Sequence, residues 1–266
     1  MKNKNIFPLF VAASMFAIVS LACVIPGLAP SATPTPSPMP TNTATVTPIP
    51  PTETPIPTVT PDRAATQAYR STQTAEAQSQ EAVQVLQKIE YPTDTGSLTW
   101  YQQDDQSIDL VDYNTYNYIP FGNGQEYSSF ILKSDVTWEA EGMMICGFYM
   151  RSEEDFEHGQ QYRFLFLRFS GLPAWDIEFW DNERYKTNIL GQVKFSDALD
   201  LANNSTNQFI IIAEDNKFTV YINGVRQGSY YDWSKLASKG QFAFYASHES
   251  GPASCVFKNS WIWALK

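Results

Sequence analysis

The sequence predicts an all-β protein, an antiparallel β-sandwich that follows a disordered Pro/Thr stalk and one helix. Three observations carry this expectation. From Leu98 onward apolar and polar residues alternate with period two, the mark of half-buried strands. Tight-turn pairs such as Asp215-Asn216 and Asn223-Gly224 punctuate those runs. The aromatic residues gather after Trp100, whereas most prolines lie before Asp62, so only the C-terminal part of the 266-residue chain can bury a core. The segments follow as 1–23, an export signal; 24–62, a Pro/Thr-rich linker; 63–91, a helix; and 92–266, the sandwich domain.

Lys2 and Lys4 precede an apolar run from Ile6 to Val19, which ends in Ser20-Leu21-Ala22-Cys23. A short positive flank, an apolar segment and small residues before a cleavage point are the features of an export signal. The Leu21-Ala22-Cys23 ending resembles a bacterial lipobox. That resemblance implies a lipid on the Cys23 thiol and membrane attachment through it. The apolar run also continues through Val24 and Ile25 to Ala29, which leaves an uncleaved signal anchor as the alternative. Either way the remainder of the chain is tethered to a membrane on its extracytoplasmic side.

Ser31 to Asp62 is almost wholly Pro, Thr, Ser and small apolar residues, with Thr-Pro recurring at Thr33-Pro34, Thr47-Pro48, Thr54-Pro55 and Thr60-Pro61. Such a segment has too little apolar bulk to fold and favours extended polyproline II. At ~3.1 Å per residue it spans on the order of 90 Å, a spacer. From Arg63 the composition turns to Ala, Gln and Glu, with Asp62 as N-cap and Pro92 as the stop. Ala68, Ala75, Ala82 and Ile89 recur with heptad spacing. This fits either an oligomer seam or a stalk helix whose last turns (Val83, Leu86, Ile89) dock on the domain.

In the domain, Phe130, Leu132, Val136 and Trp138 form one apolar row and Met144, Cys146, Phe148 and Met150 another. Asn207–Glu214 and Lys217–Ile222 read as a hairpin across Asp215-Asn216, and Asn223-Gly224 as a second tight turn. About eleven short strands with no long helical period complete the sandwich.

The run Phe218-Thr219-Val220-Tyr221-Ile222-Asn223-Gly224, with Asn207-Gln208-Phe209 before it and Phe257-Lys258-Asn259-Ser260-Trp261-Ile262-Trp263 at the end, resembles concanavalin A-like jelly-roll domains. The resemblance points to the laminin-G-like and keto-disaccharide-hydrolase-like branches of bacterial surface proteins. It covers Gly96 to Lys266 and implies a jelly-roll sandwich. Its functional range includes lectins, glycosidases and adhesive modules, so activity must be argued from a site.

One hairpin offers that site. Tyr162–Ser170 and Ala174–Trp180 flank Gly171-Leu172-Pro173. A three-residue loop there would face Phe169 to Trp175, Leu167 to Ile177 and Leu165 to Phe179 on the core side. The outer side would then carry Arg168 opposite Asp176, Phe166 opposite Glu178 and Phe164 opposite Trp180. Rings stack on the C–H face of a pyranose while charged groups bond its hydroxyls. Arg168, Asp176, Glu178 and Trp180 are therefore the candidate ligand-binding residues. The plain alternative is a cross-strand Arg168–Asp176 ion pair on a solvated sheet. Tyr230, Tyr231 and Trp233 form a second aromatic cluster, read as packing.

The segment Asp176-Ile177-Glu178-Phe179-Trp180-Asp181 also resembles the Glu-x-Asp-x-x-Glu motif of jelly-roll glucanases, in which a bulge brings three carboxylates to one face. Every member is exchanged here, which shortens both reacting arms and argues against hydrolysis, since retention needs a nucleophile and an acid/base about 5 Å apart. His158 and His248, the only histidines, have no metal-ligand spacing. No cofactor is required. A structural calcium is left open, with Asp197, Asp200 and Asn203 as nominal donors. A net charge of −10 without a Lys/Arg cluster beyond the N-terminus speaks against nucleic acid as a partner. With Cys23 acylated, Cys146 and Cys255 are the remaining thiols, both on inward rows in an oxidising compartment. They are expected to pair, against the alternative of two separate buried thiols. The reading is thus a membrane-anchored surface lipoprotein presenting a carbohydrate- or other extracellular-ligand-binding module. A structural or adhesive protein without a small ligand, or a weak glycoside hydrolase, stands as the alternative.

Overall fold

A computed structural model describes the backbone from Arg63 to Lys266, except Ser170 and Ser250, and side chains from Thr72 onward. Cys23 and the 24–62 segment lie outside the described residues. Helix α1 (Arg63–Lys88) is followed by β1 (Gly96–Tyr101), β2 (Gln106–Leu110), β3 (Thr115–Phe121), β4 (Phe130–Ala140), β5 (Met144–Ser152), β6 (Gln161–Phe169), β7 (Leu172–Asp181), β8 (Arg184–Asn188), β9 (Lys194–Phe195), β10 (Thr206–Glu214), β11 (Lys217–Ile222), β12 (Val225–Tyr231), β13 (Gln241–His248) and β14 (Ala253–Leu265). The additional strands relative to the sequence expectation are short pieces such as β2 and β9.

The strands form two antiparallel seven-stranded sheets. The back sheet runs β1-β14-β4-β10-β11-β12, with β2 beside β14; the front sheet runs β3-β13-β5-β6-β7-β8, with β9 beside β7. Packed face to face, they make the jelly-roll β-sandwich. The core between them takes the expected rows: Phe130, Leu132, Val136 and Trp138 from β4, and Met144, Cys146, Phe148 and Met150 from β5, meet Phe209, Ile211, Val220 and Phe257. Cys146 of the front sheet and Cys255 of the back sheet are joined by a disulfide, with Cα atoms 6.0 Å apart. The two C-terminal turns are as local as their sequences suggest. Glu214 pairs with Lys217 and Ile222 with Val225, while Asn223 and Gly224 both take positive φ (49° and 78°), the type I′ geometry that matches strand twist.

The helix ends at Lys88, earlier than the composition alone suggests. Glu90 turns left-handed (φ 58°), and the Tyr91 amide donates back to the Leu86 carbonyl at 2.9 Å, which closes the last turn before Pro92 is reached. Ala82 and Leu86, with Val83 and Ile89 beside them, pack on Ile131, Ile210, Ile212, Trp261 and Trp263 of the back sheet's outer face. The docked-helix reading therefore holds for the last turns of α1.

Candidate functional site

The outer face of the front sheet is built by the β6–β7 hairpin, and its register departs from expectation. Phe169 pairs with Leu172, Leu167 with Ala174, Leu165 with Asp176 and Arg163 with Glu178. The connection tightens onto Gly171, whose φ of 79° suits only glycine without strain. Leu172 and Pro173 join the strand instead of the loop, because a proline at a strand's beginning sacrifices no central ladder bond. The change is an odd number of residues, so it inverts one strand relative to the other.

The consequences are specific. Trp175, Ile177 and Phe179 face the core as expected, and Asp176, Glu178 and Trp180 share the outer row. On β6, however, Phe164 and Phe166 are core residues, not outer ones. Leu165 and Leu167, expected inside, lie with the outer cluster. Arg168 does not meet Asp176. It pairs across from Pro173, and its Nη1 donates to the Ala140 carbonyl (3.0 Å) and to Asn203 Oδ1 (2.8 Å). Its place beside the carboxylates is taken by Arg163, which the wrong register had hidden.

The Arg163 guanidinium lies over the Trp180 ring, 4.0 Å from its centroid, and over Tyr149 at 4.7 Å, positions in which a cation is held by ring quadrupoles. Trp180 Nε1 donates to Glu178 Oε2 at 2.7 Å. Asp176, only 1 % exposed, accepts from the Ile177 amide (2.7 Å) and from Asn188 Nδ2 (2.5 Å). Burial first, and the Glu178 charge second, push the Asp176 carboxyl up to about 6. Burial also raises Glu178, opposed by the Trp180 N–H and by Arg163. Tyr149 and Tyr245 stack at 4.9 Å, Phe156 closes on Tyr118 at 5.7 Å, and the half-exposed Tyr185 meets Trp180 edge-on at 6.1 Å. At its accessible surface the face thus offers the Trp180 and Tyr185 rings, the Glu178 carboxylate and the Arg163 guanidinium, while Asp176, Tyr149 and Tyr245 lie buried behind them.

The third carboxylate of the glucanase-like motif does not join them. Pairing along β6–β7 is unbroken through Trp180, so Asp181 follows on the opposite row. The bulge near this point lies between β7 and β8, with Lys186 as the extra residue, and Lys186 pairs with Asp181 at 3.2 Å. Of the nominal calcium donors, Asn203 Oδ1 is engaged by Arg168 and by the Ala140 amide, and Asp200 Oδ1 by the Ala202 amide. The fold does bring His158, Glu157 and Glu183 together with donor atoms within 4.8 Å of one another, a grouping that sequence spacing cannot show. His158 Nδ1 lies 3.2 Å from Asp155 Oδ2. All three residues are exposed.

No protein-family model and no curated protein matches the chain. Among solved structures it is similar to carbohydrate binding module CBM66 from Bacillus subtilis, at 17 % identity with a TM-score of 0.46 over 64 % of this chain and 96 % of that one. It is also similar to sheep galectin-11, at 7 % identity with a TM-score of 0.36 over 55 % of this chain and 99 % of that one. The Bacillus licheniformis β-glucanase is similar at 12 % identity, with a TM-score of 0.39 over 53 % of this chain and 69 % of that one.

Proposed function

We propose that the chain is an exported lipoprotein, acylated at Cys23, whose jelly-roll domain binds glycans on the outer face of the front sheet. One observation carries the binding reading: the half-buried Glu178 and Arg163 stand beside the Trp180 ring, with the exposed Tyr185 edge-on to it and Asp176 buried behind them. A pyranose has an apolar C–H face and a ring of hydroxyls. Aromatic surface beside a preorganised carboxylate and a guanidinium is complementary to both. The disulfide between Cys146 and Cys255 supports an oxidising, extracytoplasmic setting. Hydrolysis is not part of the reading, because Asp181 is committed to Lys186 on the other row. The purified full chain on a glycan array, with and without calcium, tests binding. Retention of a glycan by the wild type and its loss in Trp180→Ala at an unchanged fold is the expected result. An array without signal would favour a structural or adhesive surface protein. Mass spectrometry of membrane-extracted protein tests the anchor, and an intact Met1 N-terminus would replace the lipid with a signal anchor.

A further inference from the structure

A second site emerges at the end of the sandwich where β5 carries one residue more than β13. Gln241 pairs with Ser152 and Ala243 with Tyr149, so Met150 and Arg151 together face Phe242. Arg151 adopts φ 48°, a conformation that costs a non-glycine residue energy and that bulges use to re-aim a side chain. The bulge is pinned from across the ladder. A Cβ at Gly240 would stand 2.4 Å from the Arg151 carbonyl carbon, so only glycine lets the strands approach there.

The re-aimed guanidinium is buried, 2 % exposed, between the rings of Phe130 (5.9 Å) and Phe218 (5.3 Å). Its hydrogen-bond partners are neutral. Nη2 donates to the Ser128 carbonyl at 2.5 Å and Nη1 to the Ala237 carbonyl at 3.3 Å, while Nε has no partner. No ion pair among the described residues includes Arg151. Asp232 is committed elsewhere: its carboxylate accepts from Tyr162 Oη (2.5 Å) and from the amides of Ser234 (2.9 Å) and Leu236 (2.7 Å). Asp215, Asp232 and Tyr162 favour the charged guanidinium through space, but no carboxylate hydrogen-bonds it, and buried donors left without acceptors are costly.

Arg151 borders a cleft of about 310 Å³ whose walls include Ser128, Asp215, Asn216, Lys235 and Ser238, within the size range of small-molecule sites. We propose that this cleft binds the carboxylate of an acidic sugar, with Arg151 as the buried anchor and Lys235 as the cation at its rim. The charge balance selects the class. Arg151 and Lys235 are balanced by Asp215 and by Asp232 behind Tyr162, both of which act on the guanidinium through space, so a nearly neutral cleft disfavours a doubly charged phosphate more than a monoanion. The amide of Asn216 and the hydroxyls of Ser128 and Ser238 match sugar hydroxyls. The turn that supplies Lys235 also presents Trp233, which is 82 % exposed and stacks on Tyr231 with centroids 5.1 Å apart, a free ring face for a pyranose.

The test is calorimetric titration of the full chain with sodium glucuronate, glucose and inorganic phosphate. Glucuronate is expected to saturate one site, with glucose at least about tenfold weaker, since it lacks the group that the buried charge anchors. Arg151→Lys keeps the charge but loses the planar fork, and should weaken glucuronate by about tenfold or more. Lys235→Ala, on the surface and harmless to folding, should weaken it by about fivefold and carries the test should Arg151→Lys fail to fold. Trp180→Ala should leave glucuronate binding unchanged, which separates this site from the front-sheet face. Equal binding of glucose and glucuronate, an unchanged affinity in Lys235→Ala, or phosphate outcompeting glucuronate would each overturn the proposal.

Discussion

The two outer faces of the sandwich are made by the same architecture and finished in opposite ways. On the back sheet the outward residues are apolar: Ile131, Ile210, Ile212, Trp261 and Trp263 lie under α1. On the front sheet they are Arg163, Asp176, Glu178 and Trp180 among tyrosines, and no helix covers them among the described residues. Period-two alternation alone makes both faces, so the difference lies in what the second row holds. Isoleucine and tryptophan call for a covering layer, whereas the half-buried Arg163 and Glu178, held by the Trp180 ring and its N–H, need none. One face carries the helix, and the other is the face proposed for recognition.

That contrast can be broken from the middle outward. The largest effect is expected from the double substitution Cys146→Ala/Cys255→Ala, because the disulfide ties the two sheets to each other across a sequence separation of 109. For so long a loop the chain-entropy model gives roughly 4–5 kcal/mol of lost stability, read as a lower denaturation midpoint, with glycan binding retained by the fraction that remains folded. Leu86→Ala, at a fully buried position of the helix contact, should cost roughly 2–5 kcal/mol by the usual cavity relation. It should leave front-face affinity untouched. A matching loss of affinity would show that the faces are coupled after all.

The third test uses pH. The Asp176 carboxyl is raised from 3.8 to about 6 in the folded protein, so the native state holds a proton that the unfolded chain has released. Between about pH 4 and pH 6, stability therefore increases as pH falls, by up to about 3 kcal/mol at ~1.4 kcal/mol per unit. Asp176→Asn should flatten that part of the stability profile relative to wild type. A profile identical in both proteins would mean that the carboxyl titrates normally. The smallest effect is the one closest to function: Trp180→Ala should weaken glycan binding by roughly 1–3 kcal/mol, with Thr219→Ala on β11 as a control that changes little. Were Trp180 only packing, its melting temperature would fall first and affinity would follow it.

What the sequence disclosed depended on how locally each feature is determined. Asn223-Gly224 specifies its own turn, and the β4 and β5 rows specify their own inward faces, so both were legible. The β7 row was legible for the same reason, and Asp176, Glu178 and Trp180 do share a face. Their cationic partner was not. Whether Arg163 or Arg168 stands beside them is set by where the β6–β7 turn tightens, and Leu172-Pro173 resembles loop more than strand. The core-facing Phe164 and Phe166 and the outward Leu165 and Leu167 are all large and apolar, so hydrophobicity could not arbitrate between the two registers. Arg151 was hidden more deeply. A bulge is a mismatch between two strands far apart in sequence, and neither strand declares it alone.

Helix α1 has a consequence for mechanics. The chain enters the domain along the back sheet, and the proposed ligand face lies on the opposite side of the sandwich. If a bound glycan pulls while the N-terminal end is held, the tension runs from the front sheet through the core and the Cys146–Cys255 link into the back sheet. It reaches the helix contact last. That contact rests on side-chain packing and on single hydrogen bonds such as Tyr101 Oη to Glu81 Oε2 at 2.9 Å, whereas each sheet is laced by many ladder bonds. Under force the helix would peel away before any strand is drawn out. It would lengthen the tether and relieve the strain while the ligand face stays intact.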